Sequence, residues 1–394
     1  MSMLAEYIKK RDKQNLDLQF ELLSLIKKYN KYRNSFLFVY ATAFKSNPEA
    51  RMTMDDYFII HDMLRSVSSN KLDFYIESPG GSGEAAEEIV RCLRSKFSEV
   101  SFVISGEAKS AGTILVMSGD EIYMTDSGSL GPVDAQVKIG RGVVSAYDYL
   151  EWVDITRREA QKYNRLNPVD ATMIAQISPG ELQGVHHSLN FAKDLIKEWL
   201  PKYKFKNWTK TETRQIQVTD KNKIDRANVV ASELVNHSKF RSHGRSLKIK
   251  DFESLLKINR IDDDPDFADV VYRIQTVISL IFQSSPVYKI FATQDEKIFR
   301  SGLLRENIQS RPIKMGNIPS GVDAMVIEFT CPSCSEKLTA YGKTVANPQI
   351  DKDMAKKGFF SIKNSLIKCK KCAFQIDLTG IRNNVENQTG KKFV

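Results

Sequence analysis

One serine stands in a stretch that suits either a helix cap or a nucleophile. Ser110 lies within "GEAKSAGTILVMSG" (106–119), before an Ala-Gly pair and an apolar run. Serine is a favoured N-cap because its oxygen accepts a backbone N–H of the first turn, and Ile114, Leu115 and Met117 would then form the buried face of a short helix. A strand-to-helix junction equally holds a hydroxyl outward, with backbone amides beside it. On this stretch alone both interpretations stay open.

A glycine-rich loop lies upstream, in "SPGGSGEAAEEIV" (78–90). Pro79 stiffens the turn, while Gly80 and Gly81 permit backbone conformations that other residues avoid. A phosphate cradle is weakly indicated, since neither GxGxxG nor the Lys-Ser/Thr ending of a P-loop is present. The alternative is an oxyanion hole in which amides near Gly80 and Gly81 act with the Ala111 amide. One such donor is typically worth about 3 to 4 kcal/mol.

Together, "SPGGSGEAAEEI", "AKSAGT" and "GSLGPVDAQ" resemble the Clp-type and signal-peptide-peptidase proteases of the crotonase-like fold, and most closely the serine dehydrogenase proteinase family. The resemblance covers roughly residues 35–262. It implies a serine-type endopeptidase of the α/β class, with stacked ββα units, a mostly parallel sheet and assembly into homo-oligomers. It also implies that Ser110 is the nucleophile and that Gly80, Gly81 and Ala111 supply the oxyanion hole.

A serine hydroxyl needs a neighbouring base to take its proton. Clp proteases place a histidine shortly after the serine, but Pro132 stands about where it would fall, which excludes the order Ser, His, Asp. The resemblance to serine dehydrogenase proteinases implies the order Ser, Asp, His, which maps onto Asp134 in "GPVD" and His243 in "FRSHGRSLKIKDFESLLKI". Asp134 has a competing interpretation as the cap of a turn after Pro132.

Other histidines compete with His243 for the role of base. His61 lies in the amphipathic "DDYFIIHDML" and is interpreted as structural. His186 and His187 are adjacent and point to different faces of a helix, so at most one of them enters a site. His243 lacks apolar periodicity around it and lies in a glycine-containing turn, where functional side chains often occur.

A lysine base, as in the signal peptide peptidases, is a further alternative. Lys109 is adjacent to Ser110 in the chain and is expected to point away from it. Lys162 lies at a more plausible distance along the chain.

Four of the five cysteines form two CxxC pairs near the C-terminus, "CPSC" (331–334) and "CKKC" (369–372). Two such pairs complete a tetrahedral site for one Zn²⁺, whose ligands would be Cys331, Cys334, Cys369 and Cys372. Four protein ligands leave no open position, so this zinc is predicted to be structural. The alternative is four unrelated thiols. A zinc ribbon of this kind commonly binds protein or nucleic acid.

The elements that must position these residues alternate between strand and helix. Short apolar runs bounded by turns predict strands: "SFLFVYATAF", "LDFYIES", "VSFVIS" and "DEIYMT". Helical patterns lie between them, which indicates βαβ units and a buried, mostly parallel sheet. We therefore expect an N-terminal amphipathic helix (1–33), a Clp/crotonase-like peptidase domain (34–262), a helical extension (263–320) and a zinc ribbon (321–394).

The charge and the hydropathy of the chain limit the classes of protein to which it can belong. The 394 residues carry a net charge of +10, concentrated in 190–260 and 301–394. Basic regions favour nucleic acid or an acidic partner, although a solvated face is the commoner explanation. The charged N-terminus lacks a secretory apolar core, and the apolar-leaning stretch 274–288 contains too many polar residues for a membrane span. A soluble, cytoplasmic protein is expected.

Two functional hypotheses follow. The first is a serine peptidase that forms an acyl-enzyme on Ser110, with His243 as base and Asp134 orienting it. The second is a catalytically silent crotonase-like scaffold that binds nucleic acid or a protein partner through its basic surface and zinc ribbon. The absence of a histidine shortly after Ser110 keeps the second hypothesis open.

Overall fold

The structure is a computed structural model. It describes residues 2–14, 16–43, 48–133, 136–139, 142–211, 213–236, 240, 244–302, 323–331, 336–363, 366–372, 374–379, 381–382, 386 and 392–393. The chain forms two compact units, Met1–Arg300 and Ser301–Val394. Among the described residues, none of the helices combines the length and the apolar character needed to span a bilayer. The predicted four-part division and cytoplasmic location stay predictions.

A seven-stranded sheet forms the centre of the first unit, in the order β11-β10-β1-β2-β3-β5-β9. β2 pairs in parallel with β1 and β3, and β5 pairs in parallel with β3 and β9. β10 pairs antiparallel with β1. The predicted mixed α/β architecture with a mostly parallel sheet is confirmed. The sheet strands are β1 (Phe36–Thr42), β2 (Lys71–Glu77), β3 (Glu99–Ile104), β5 (Glu121–Met124), β9 (Asn259–Arg260), β10 (Val287–Ala292) and β11 (Lys297–Ser301).

Shorter strands lie outside this sheet. β4 pairs with β6, and β7 pairs with β8. Their bounds are β4 (Glu107–Ala108), β6 (Ser129–Leu130), β7 (Gln136–Ile139) and β8 (Gly142–Ser145).

Helices cover both faces of the sheet. The N-terminal region, predicted as a single helix, is two helices, because Asp17 caps the second by accepting from the amides of Gln19 and Phe20. The helices of the first unit are α1 (Met3–Gln14), α2 (Leu18–Arg33), α3 (Met54–Leu64), α4 (Gly83–Lys96), α5 (Ala111–Val116), α6 (Ala146–Tyr163), α7 (Pro168–Ile174), α8 (Pro179–Lys202), α9 (Asp220–Leu234), α10 (Ile249–Phe252) and α11 (Pro265–Ser284).

Alternating strand residues divide the core into two clusters. Leu37 and Val39 of β1 face the cluster that contains α2 and α11, and Phe38 and Tyr40 face the cluster that contains α3, α4 and α5. This alternation follows from the two-residue period of a strand. Because β2, β3 and β5 run in parallel, the loops that follow them leave the sheet at one edge, where the candidate site lies.

The second unit has a small core of its own, which includes Ile327, Leu338, Ile367 and Ile376. Its elements are β12 (Ala324–Thr330), β13 (Lys337–Lys343), α12 (Pro348–Lys356), β14 (Phe360–Ser361), β15 (Leu366–Lys368) and β16 (Gln375–Asp377). β12 pairs antiparallel with β13, and β15 pairs antiparallel with β16. Cys331 and Cys369 are buried in this core, directly after β12 and β15.

Candidate active site

Ser110 lies at the junction between β4 and α5 in an uncommon backbone conformation. Its φ is 49° and its ψ is −114°, a combination that residues other than glycine rarely adopt. It stands at the N-cap position, but its side chain accepts no capping hydrogen bond, whereas Ser82 and Ser145 cap α4 and α6 in the usual way. Within the described part of the chain, the Ser110 hydroxyl has no hydrogen-bond partner. This geometry favours the nucleophile interpretation over the helix cap.

The glycine loop packs directly against this serine. Gly80 has φ 94°, and a Cβ built on it would lie 2.8 Å from the Ser110 Cβ. Only glycine therefore allows this approach. The Gly80 N–H donates to the Ser78 Oγ at 3.2 Å. Among the described residues, the Gly81 and Ala111 amides have no acceptor, whereas the Gly80 amide, predicted as a third oxyanion donor, is already occupied.

A neighbouring backbone segment fixes the glycine loop. The Met52 N–H donates to the Gly80 carbonyl at 2.8 Å, and the Met52 carbonyl accepts from the Ser82 N–H at 3.0 Å. Gly81 has φ 152°, and a Cβ on it would lie 2.4 Å from the Met52 nitrogen. The close approach of Met52 therefore requires glycine at position 81.

A buried ion pair holds that segment in turn. Lys289 Nζ lies 2.7 Å from Asp56 Oδ2 and donates to the Arg51 carbonyl, also at 2.7 Å. The Thr53 N–H donates to Asp56 Oδ2 at 2.9 Å. The Lys289 and Asp56 side chains are 4% and 1% exposed, so the pair is shielded from water. Sequence reasoning missed this pair, since its members are 233 residues apart.

Ser110 opens onto a cleft of about 850 Å³. Its walls include apolar side chains suited to a substrate side chain and one histidine, His187 of α8. His187 is exposed, and its Nε2 lies 3.2 Å from the Gln183 Nε2. His186 is also exposed but does not line the cleft. The lining residues are Arg51, Met52, Thr53, Pro79, Gly81, Ser82, Gly83, Glu84, Ser110, Ala111, Ile114, Val133, His187, Ser188, Phe191 and Ala192.

Asp134 and His243, the two other predicted members of a triad, lie outside the described residues. Two described residues lie close to Asp134 and His243 in the chain. One of them lines the cleft, and the other accepts a hydrogen bond from Lys109, the residue before Ser110. Val133 lines the cleft, and its N–H donates to the Leu234 carbonyl at 2.9 Å. The Arg245 carbonyl accepts from Lys109 Nζ at 3.2 Å.

The two lysines considered as bases lie in other surroundings. Lys109 is buried, and its Nζ donates to the Ser246 Oγ at 2.8 Å and to the Arg245 carbonyl at 3.2 Å. Burial lowers the pKa of Lys109. Lys162 is exposed on α6, 5.0 Å from the centre of the Tyr163 ring, and does not line the cleft.

Glu77 ends β2, immediately before the glycine loop. Burial is the main cause that raises the pKa of Glu77 to about 7; the hydrogen bond from the Tyr75 hydroxyl lowers this pKa, and the nearby Glu107 carboxylate raises it. Gly106 packs against it, since a Cβ there would lie 2.5 Å from the Glu77 carboxyl carbon. An acid held at this pKa is largely protonated below neutrality in the folded chain.

This shift predicts a pH-dependent stability. Between its unfolded pKa and about 7, Glu77 binds a proton more often in the folded chain than in the unfolded chain, so stability falls as the pH rises through this range. We expect the free energy of unfolding of the wild type, minus that of Glu77→Gln, to fall by about 2 kcal/mol from pH 5 to pH 8. Urea unfolding at each pH measures this difference. A difference that does not change with pH would contradict the assignment.

Three of the four predicted metal ligands converge in the second unit. The sulfur atoms of Cys331, Cys369 and Cys372 all lie within 4.8 Å of one another, and Cys334 lies outside the described residues. The Cys331 and Cys372 sulfurs are 3.6 Å apart, near the roughly 3.8 Å edge of a tetrahedron with Zn–S bonds of about 2.3 Å. Three converging thiols therefore fit a metal ion.

The first cysteine of each CxxC pair makes the same backbone hydrogen bond. The Cys331 N–H donates to the Glu336 carbonyl at 2.7 Å, and the Cys369 N–H donates to the Phe374 carbonyl at 2.8 Å. Cys331 and Cys369 therefore stand in matching backbone positions, each five residues before the carbonyl to which its amide donates.

Comparison with known families finds a match within the first unit. The family described as ClpP-like SDH-type serine proteinase matches residues 48–219, a range that contains Ser110, both glycines of the loop and His187 but ends before His243. The family is one of serine-type peptidases, which are hydrolases, and its Clp-like fold agrees with the parallel-rich sheet observed here.

Two proteins of Methanocaldococcus jannaschii are similar over short stretches. MJ0137 is 32% identical over 87 residues, which is 22% of this chain and 30% of that protein. MJ1495 is 33% identical over 66 residues, which is 17% of this chain and 23% of that protein. Both are described as uncharacterized, and the chain spans less than a third of either relative.

Two solved structures of the 1510-N membrane-bound stomatin-specific protease are also similar, each at 12% identity. One covers 60% of this chain and 82% of the solved chain, with a TM-score of 0.33. The other, in complex with a substrate peptide, covers 67% of this chain and 87% of the solved chain, with a TM-score of 0.34.

Proposed function

We propose that the chain is a serine endopeptidase that cleaves protein or peptide substrates through Ser110, since residues 48–219 match the family described as ClpP-like SDH-type serine proteinase. The observation that carries the proposal is the conformation of Ser110. Its hydroxyl is unpartnered among the described residues, lines a cleft and stands beside the two amides without an acceptor. A serine with a purely structural role at the start of a helix would use its hydroxyl oxygen to accept a capping hydrogen bond from a backbone N–H.

The first half of the reaction forms an acyl-enzyme. The Ser110 Oγ attacks the scissile carbonyl carbon while the imidazole of His243 takes the hydroxyl proton, and the Gly81 and Ala111 amides donate to the resulting oxyanion. When the C–N bond breaks, the imidazolium returns this proton to the leaving amine. Asp134 holds the imidazole in the required tautomer.

The second half restores the enzyme. Water attacks the acyl carbon, His243 accepts its proton and then returns a proton to the Ser110 Oγ, and the new carboxyl product leaves. His187, which lines the same cleft, is the rival base. The flanking contacts of Val133 and Arg245, and the order of residues in the resembled family, support His243.

We further propose that the second unit is a zinc ribbon with Cys331, Cys334, Cys369 and Cys372 as ligands. When bound, the zinc contributes folding free energy and no catalysis, because four thiolates leave no open position. The ribbon would recognise substrate or a protein partner. Homo-oligomer assembly and nucleic-acid binding through the basic regions remain predictions.

A fluorophosphonate probe tests the proposed peptidase, since it forms a covalent bond with activated serine hydroxyls. We expect the wild type to be labelled and Ser110→Ala to show no labelling. Ser188→Ala is the matched control because Ser188 lines the same cleft, and its hydroxyl is occupied by a hydrogen bond to the Gly184 carbonyl. Labelling of Ser110→Ala would refute the nucleophile, and an unreactive wild type would favour the silent scaffold.

A further inference from the structure

A second cavity of the first unit is larger than the cleft at Ser110. It measures about 1140 Å³ and shares no lining residue with that cleft. It is formed by the segment after α8, by Arg226 of α9 and by residues around and after α10. Apart from Glu121, the residues that line this cavity belong to the basic stretch 190–260. His243 is the one residue of that stretch to which the proposed catalytic mechanism gives a role. We call this cavity the basic groove.

Cationic side chains outnumber carboxylates in the described lining of the basic groove. Among the described lining residues, two are carboxylates and five are cationic, the cations being Lys204, Lys210, Arg214, Arg226 and Lys257. Lys204 neutralises Glu121 at 2.7 Å. Among the described residues, Lys210, Arg214 and Lys257 have no ion-pair partner, and all three are exposed. These three exposed cations therefore attract an acidic ligand.

The apolar part of the groove lining is mainly aliphatic. Ile216 is 55% exposed, and Leu255 and Ile258 are half-buried against the core. The half-buried Trp208 packs on Phe205, with ring centres 5.7 Å apart. A lining that combines aliphatic side chains with exposed cations fits a ligand that carries both apolar and carboxylate groups.

We propose that the basic groove is an exosite for peptide segments in which apolar and acidic side chains alternate. Nucleic acid fits less well, since base stacking needs open aromatic faces and the single partly open ring here is already packed on Phe205. The inference that these segments belong to substrates rests on the proposed peptidase function. Binding remote from the scissile bond would then select which proteins reach Ser110.

The test measures binding alone, on full-length Ser110→Ala protein, so that its outcome does not depend on catalysis. The probe is a fluorescein-labelled dodecapeptide in which leucine alternates with glutamate, followed by fluorescence anisotropy. We expect Arg214→Glu and Ile216→Ser each to weaken binding at least tenfold. Raising NaCl from 0.1 to 0.5 M should also weaken it, because exposed charges are screened.

Matched controls separate the groove from general charge and hydrophobicity. Lys27→Glu on α2 changes the net charge as Arg214→Glu does, and Ile224→Ser on α9 removes an isoleucine that is 52% exposed outside the groove. Both are expected to bind like the parent. Equal weakening by these controls, or no weakening by the groove variants, would overturn the proposal. Tighter binding of a twelve-nucleotide oligothymidine, lost in the groove variants, would overturn it in favour of nucleic acid.

Discussion

His243→Ala is expected to lower the rate of peptide hydrolysis and of fluorophosphonate labelling by roughly four orders of magnitude, because removing the general base leaves Ser110 as an unactivated hydroxyl. His187→Ala is expected to cost less than about tenfold, since that side chain would contact substrate without moving the proton. Single-turnover labelling rates of both purified variants measure the difference. Circular dichroism establishes that each variant retains the wild-type fold.

The reverse outcome would assign the base to His187, which lines the cleft of Ser110 and falls within the family match. Lys162→Ala is the control for the lysine alternative, and it should leave the rate unchanged because Lys162 is exposed and does not line the cleft. A loss of labelling in Lys162→Ala alone would replace the proposed histidine base by a lysine. Each of the three variants therefore identifies a different base.

The strands and helices around the cleft could be predicted because their signals are local. The runs "LDFYIES" and "VSFVIS" correspond to β2 and β3, and the helical pattern "GEAAEEIVRCLRSKF" between them corresponds to α4. β10 and β11 were not anticipated within a segment expected to be helical. β10 joins β1, about 250 residues earlier, and Lys289 interrupts its apolar pattern. A buried lysine is predictable only when its partner, Asp56, is known.

Some features of the candidate site could likewise be predicted from the sequence, and others depend on the fold. Serine and glycine types were visible in the sequence, because turns that need φ above zero favour glycine. Which amides remain open was not visible, since the Gly80 amide is occupied by Ser78, a contact that depends on the fold of the loop. His187 was weighed as a competing base, but only the packing of α8 beside the glycine loop places it in the cleft with Ser110.

Replacing Cys369 by serine is expected to release about one zinc ion per chain and to unfold the second unit. A core as small as the one around Ile327 and Ile367 cannot by itself offset the entropy of ordering the segment, and a structural zinc commonly supplies about 10 to 16 kcal/mol. Atomic emission measures the zinc. Hydrogen exchange should show loss of protection in β12, β13 and β15 while β1 to β3 stay protected.

Cys92→Ser is the matched control, because Cys92 is half-buried on α4 in the first unit and belongs to neither CxxC pair. It should retain the zinc and the protection of both units. Fluorophosphonate labelling should survive in Cys369→Ser, since the first unit has two buried clusters of its own around its sheet. Wild-type protein purified without zinc, yet protected in β12 and β13, would refute the metal site. Loss of labelling in Cys369→Ser would instead mean that the ribbon supports the fold of the catalytic unit.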